Sequence, residues 1–76
     1  MTEKQWLKYF SENLVSIMRE ARISQRDLAE MSGLADSTIS RYAAGTMMPS
    51  CRAIINLSYA LDCEPGDLID FNESLE

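Results

Sequence analysis

A chain of 76 residues makes a single domain, here residues 1–76, with a core small enough to be only marginally stable. Its 46% hydrophobic and 25% charged residues exclude a disordered or fibrous chain. The net charge of −5, twelve acids against seven bases, argues against an evenly basic nucleic-acid binder.

Further classes drop out on particular residues. Apolar runs stop at two or three residues, so no span is expected to cross a membrane. The segment Met1-Thr2-Glu3-Lys4-Gln5 carries an acid and no apolar stretch, unlike a secretory signal, which predicts a cytoplasmic protein. Cys51 and Cys63 do not form a CxxC pair, and the chain has no histidine, so no zinc site and two reduced thiols are expected. Without histidine, a glycine-rich phosphate loop or paired carboxylates, the parts for acid–base and nucleophilic catalysis are missing. The expectation is a non-enzyme with no cofactor, no metal and no evident small-molecule ligand.

Taken in chain order, the pattern is helical throughout. Thr2 and Gln5 fit a capping box, and Leu7, Phe10, Leu14, Ile17 or Met18, and Ala21 recur at three-to-four spacing. This predicts a long amphipathic helix over residues 3–21. Trp6, Tyr9 and Phe10 on it are expected to pack on the C-terminal helix. Ser24 caps a short second helix with Leu28, Ala29 and Met31 on its apolar side. Gly33 interrupts, Asp36 opens a third helix that turns Ile39 and Tyr42 inward, and Gly45 closes it in the left-handed region. Thr46-Met47-Met48-Pro49 is a loop, after which Ser50 caps a fourth helix bearing Ile54, Leu57 and Leu61. Glu64-Pro65 starts a short fifth helix, with proline at its first position, that buries Leu68, Ile69 and Phe71. Five helices with short connections form a compact all-α bundle.

The charge is unevenly spread along this bundle. Residues 64–76 hold Glu64, Asp67, Asp70, Glu73 and Glu76 and no base, while the first 63 residues balance at seven of each sign. Between Arg22 and Arg52 four arginines stand against Asp27, Glu30 and Asp36. The acidity belongs mainly to the tail.

Residues 25–44 carry the most specific pattern. Counting Gln25 as the first position, Ala29 is fifth, Gly33 ninth, Ile39 fifteenth and Tyr42 eighteenth. A small residue at Ala29 lets two helices cross closely. Gly33 supplies the positive φ that a three- to four-residue turn between steeply crossed helices requires. Leu28, Leu34, Ile39 and Tyr42 fill the wedge. This is the spacing of a helix-turn-helix unit.

The run Ile23-Ser24-Gln25-Arg26-Asp27-Leu28-Ala29, then Gly33-Leu34, Ser37-Thr38-Ile39-Ser40-Arg41-Tyr42, Gly45, Pro49-Ser50 and Leu61, resembles the lambda-repressor-like (XRE, Cro/repressor) helix-turn-helix family over residues 12–70. The resemblance implies a five-helix domain of a bacterial or phage transcription regulator, nucleoid-associated and commonly a homodimer on palindromic double-stranded DNA. Carried over residue by residue, it implies that the helix from Asp36 enters the major groove and presents Asp36, Ser37, Ser40 and Arg41 to base edges, with Thr38 flanking. Arg41 can fork onto guanine O6 and N7. Gln25, Arg26, Thr38, Thr46 and Arg52 become phosphate contacts.

The chain also departs from the family pattern. Met47-Met48 occupy a loop that usually carries lysine or arginine. Ala35 stands where a serine or threonine cap is usual, leaving Asp36 to take over the cap or to favour the helix dipole. Met18 and Ala43 replace an arginine and a glutamate that pair inside many relatives, so both are expected buried and adjacent. The main reading is a sequence-specific DNA-binding transcriptional regulator, a repressor. The alternative, favoured by the acidity and the missing loop bases, is a protein-interaction module on the same fold, an antirepressor or an antitoxin-type partner binder.

Overall fold

The computed structural model describes residues 2–70. It is built of α1 (Glu3–Ala21), α2 (Gln25–Ser32), α3 (Asp36–Ala44), α4 (Cys51–Ala60) and α5 (Pro65–Leu68), with no strand among the described residues.

Local chemistry sets the helix starts. The Gln5 amide donates to Thr2 Oγ1 at 3.2 Å and the Thr2 amide donates to Gln5 Oε1 at 2.9 Å, the reciprocal box predicted for α1. Ser24 Oγ accepts from the Asp27 amide and Ser50 Oγ from the Ala53 amide, each at 3.1 Å. The stops are left-handed residues: Gly33 at φ 77° and Gly45 at φ 73° as expected, and Arg22 at φ 58° and Asp62 at φ 53°, which the sequence did not announce. At the end of α1 the Ile23 amide donates back to the Met18 carbonyl at 3.0 Å, closing a Schellman-type turn around Arg22.

The packing closes a ring. α1 lies on α3, α3 on α2, α2 on α4, α4 on α5, and α5 returns to α1. Every helix sends at least one side chain into the middle. Phe10, Leu14 and Met18 come from α1, and Leu28 and Ala29 from α2. Ile39 and Tyr42 come from α3, Ala53 and Leu57 from α4, Leu61 from its C-terminal cap, and Leu68 from α5. Burial of this apolar surface against the long α1 is what holds four short helices that would not persist alone.

Three expectations about packing need correction, at Met31, Ile69 and Ala43. Met31 is 55% exposed instead of facing the core. At 3.6 residues per turn it falls roughly 110° round α2 from the midpoint of the buried Leu28 and Ala29. Ile69 is 38% exposed because α5 is a single turn, which can aim only Leu68 inward. Of the aromatics of α1, Phe10 reaches α3. Trp6 stacks on Phe10 at 5.5 Å between centroids, and Phe10 meets the Tyr42 ring edge-on at 5.8 Å. Met18 is buried, but Ala43 is only half-buried, lining a shallow hollow with Ser11, Val15 and Arg19. Phe71, Glu73 and Glu76 lie outside the described residues.

Candidate DNA interface

The third helix divides cleanly by angle. Ile39 is fully buried and Tyr42 nearly so, which fixes the inward direction of α3. At about 100° per residue, Ser37 and Ala44 point almost directly away from that direction, and Ser40 and Arg41 lie roughly 130° to either side of it. Ser37, Ser40, Arg41 and Ala44 are exposed, in agreement with this geometry. The outer face is therefore one arginine among three small side chains, a surface that allows close approach to a flat partner.

Asp36 and Thr38 stand on the flanks. Asp36 is exposed at the first helical position and Thr38 is half-buried. The N-terminus of α3 has no side-chain cap: Ala35 adopts the capping conformation (φ −70°, ψ 149°) with nothing to offer the free amides. Asp36 does not take over the cap, so its carboxylate acts only through the helix dipole, favourable at this end. The first amides of α3 are left without an intrahelical acceptor.

Two further helix starts share one plan, which was not singled out in the sequence. Ser24-Gln25-Arg26 and Ser50-Cys51-Arg52 each put serine at the cap, with φ −77° and ψ 166° or 165°, and arginine at the second helical position. Each serine occupies the third amide and leaves the first two open, beside an exposed arginine. A dipole end, open amides and a guanidinium together make an anion-favouring site. Gln25 and Arg26 at one start and Arg52 at the other are all exposed. The signal was legible as a repeated Ser-x-Arg at two helix openings.

Thr46 behaves differently. Its amide and its hydroxyl both donate to the Arg41 carbonyl, at 3.0 and 3.3 Å. Thr46 thus locks the end of α3 behind Gly45, and its hydroxyl reaches an outside acceptor only by releasing Arg41.

The acids of the C-terminal part are kept apart from α2 and α3. α5, which carries Asp67 and is flanked by Glu64 and Asp70, packs on α1 and α4 and not on α2 or α3. Asn13 of α1 fixes it there, its Nδ2 donating to the carbonyls of Leu68 at 3.0 Å and Asp70 at 3.1 Å. Asn13 thus holds the acidic segment in place and was missed in the sequence, since one polar residue on an amphipathic helix is ordinarily a solvated one.

Comparison with known proteins agrees with this arrangement. A family model described as the Cro/C1-type HTH DNA-binding domain matches residues 13–74. The chain is 37% identical over 62 residues to an uncharacterised HTH-type transcriptional regulator, y4dL, of Sinorhizobium fredii (strain NBRC 101917 / NGR234). That match covers 76% of this chain and 32% of the relative, so the chain spans roughly a third of the relative's length. Among solved structures, the restriction-modification controller protein C.AhdI of Aeromonas hydrophila superposes with a TM-score of 0.79 at 34% identity, over 82% of this chain and 94% of that one. With its α2–α3 unit, its exposed α3 face and these likenesses in hand, the chain belongs to the family of Cro/C1-type helix-turn-helix DNA-binding domains.

Proposed function

We propose that this chain is a sequence-specific repressor, at work in the cytoplasm on nucleoid DNA, that binds a palindromic operator as a homodimer. The observation that carries the reading is the outer face of α3. Arg41 stands there among Ser37, Ser40 and Ala44, with an uncapped helix start beside it. Small neighbours let α3 seat deeply in a major groove, where the Arg41 guanidinium matches guanine O6 and N7 and the serines take the adjoining base edge. Asp36 accepts from a cytosine amino group, the one base-edge partner that makes an acid favourable there. The Ser-capped starts of α2 and α4, with Gln25, Arg26 and Arg52, hold phosphates. Thr38 and Thr46 serve as secondary phosphate contacts, Thr46 by turning its hydroxyl from the Arg41 carbonyl.

One recognition helix spans too few base pairs to select a site, so a second copy is needed on a half-site about 34–36 Å away. Ile55 and Tyr59, one turn apart on α4, and Ile69 after α5 are exposed by 46%, 82% and 38%, and they supply an apolar face for that copy. Occlusion of a promoter needs only these two surfaces, which makes repression the simplest regulatory outcome.

The test is selection of bound sequences from a random duplex pool, followed by affinity measurements with Arg41→Ala. The selected sequence should be two inverted half-sites, each with a guanine that Arg41 reads. Arg41→Ala should cost about 1–3 kcal/mol on the selected site and relax the preference at one position per half-site. Equal losses on selected and random duplex would remove Arg41 from base reading. Failure of any duplex to bind at low salt would overturn the function.

A further inference from the structure

We propose that Lys4 and Lys8 of α1 form an additional phosphate-gripping patch beside the end of α3, in place of the bases that the Thr46-Met47-Met48 loop lacks. The proposal rests on the DNA-binding reading above and adds contacts that lie outside the helix-turn-helix unit. Lys4 and Lys8 stand four residues apart on one face of α1, and both are exposed. With Gln5 and Ser11 they line a hollow whose other wall is Ala44 and Gly45, the last turn and the cap of α3.

The approach of α1 to that cap is close. A methyl group built on Gly45 would stand 3.2 Å from Ser11 Oγ and 3.6 Å from the Leu7 carbonyl oxygen, so the N-terminal half of α1 is held against the end of α3. No carboxylate lines the hollow. Glu12 lines the neighbouring one, together with Arg19. Gln5 Oε1 already accepts from the Thr2 amide and hydroxyl, which leaves its Nε2 protons for another acceptor. Two ammonium groups one turn apart repel each other mildly, and an anion between them removes that repulsion.

Geometry selects the anion. Arg41 and Ala44 lie three residues, about 4.5 Å, apart on the outer face of α3, so a helix seated in the groove through Arg41 brings its last turn close to the phosphates that wall the groove. The hollow opens beside that last turn. A DNA backbone phosphate is the occupant that fits both the two cations and their place.

The experiment compares the protein with its Lys4→Gln/Lys8→Gln double variant on the selected operator and on a random duplex, across a salt series. Each lysine–phosphate contact contributes about 0.9 to the slope of log affinity against log salt. The double variant should therefore lose about 1.8 of slope per bound chain, and roughly tenfold or more in affinity at low salt. Both duplexes should lose by the same factor, so the operator preference stays unchanged. Circular dichroism and the melting temperature should match the parent, since glutamine keeps the helix and a comparable stem. Lys8→Glu alone, which changes the charge by the same two units, should also weaken both duplexes by a common factor. A double variant with the parent's slope overturns the lysine patch and leaves the function standing. A parent protein that binds no duplex overturns both.

Discussion

Arg22 closes α1 in the left-handed conformation, φ 58°, where a Cβ is crowded by its own carbonyl. That crowding costs about 1–2 kcal/mol, partly offset by the chain entropy that glycine would lose on folding. Arg22→Gly should raise stability by about 0.5–1 kcal/mol, a shift of several degrees in a thermal melt for a domain of this size. A lower melting temperature would mean that the arginine side chain holds more than its backbone costs. The two cysteines differ in a similarly local way. Burial, then the neighbouring Asp67 and Asp62 carboxylates, push the Cys63 thiol above its ordinary range, whereas Cys51 is exposed at the start of α4. Cys63 should be alkylated more slowly than Cys51 at pH 8, as peptide mass spectrometry of a quenched time course would reveal. The folded form binds the Cys63 proton more tightly than the unfolded chain does, so this group lowers stability as pH rises past the unfolded thiol's value of about 8.5.

At the scale of elements, two helix ends control the structure in opposite ways. α3 begins at Ala35, already in capping geometry but with no oxygen to donate to. Ala35→Ser should therefore stabilise the domain by about 0.5–1 kcal/mol without moving the backbone, measurable as a shifted denaturant midpoint at constant slope. An unchanged midpoint would indicate that Asp36 and solvent already satisfy those amides. α5 is a single turn, too short to hold itself, and it depends on Leu68 and on the two Asn13 hydrogen bonds. Asn13→Ala should cost about 1–2 kcal/mol, and amide exchange should rise first in residues 64–70. Uniform exchange across all five helices would show that the ring opens as one unit and not at its last joint.

For the whole molecule, the net charge of −5 matters less than its placement. α5 is packed on α1 and α4, away from α2 and α3, so Asp67 adds little repulsion at the proposed contacts of Gln25, Arg26 and Arg41. Cations there are few, which limits binding to random duplex and leaves orientation and base contacts to carry selectivity. Pairing of two copies is tested at Tyr59. Its 82% exposure means that Tyr59→Lys should leave folding within about 0.5 kcal/mol of the parent. The same variant should abolish cooperative binding to the paired half-sites while keeping single half-site affinity, which sedimentation and a titration on both duplexes would separate. Retained cooperativity would move the dimer surface elsewhere.

Most of the helices were legible in the sequence, because caps, glycines and three-to-four spacing are short-range features. α1 at Glu3–Ala21, the Ser24 and Ser50 caps and the positive φ of Gly33 and Gly45 follow from neighbours within a few residues. The helix-turn-helix spacing was legible for the same reason, and with it the exposed face of α3. What local pattern could not decide is which side of a helix meets which partner. Met31 and Ile69 look like core residues by type, and only the ring of contacts leaves them outside. Asn13 looks solvated until α5 folds back across it, 55 residues along the chain. Lys4 and Lys8 look like an ordinary wet surface until α1 is laid against Gly45. Each of these depends on a contact between distant segments, and side-chain type and spacing along the chain carry no record of it.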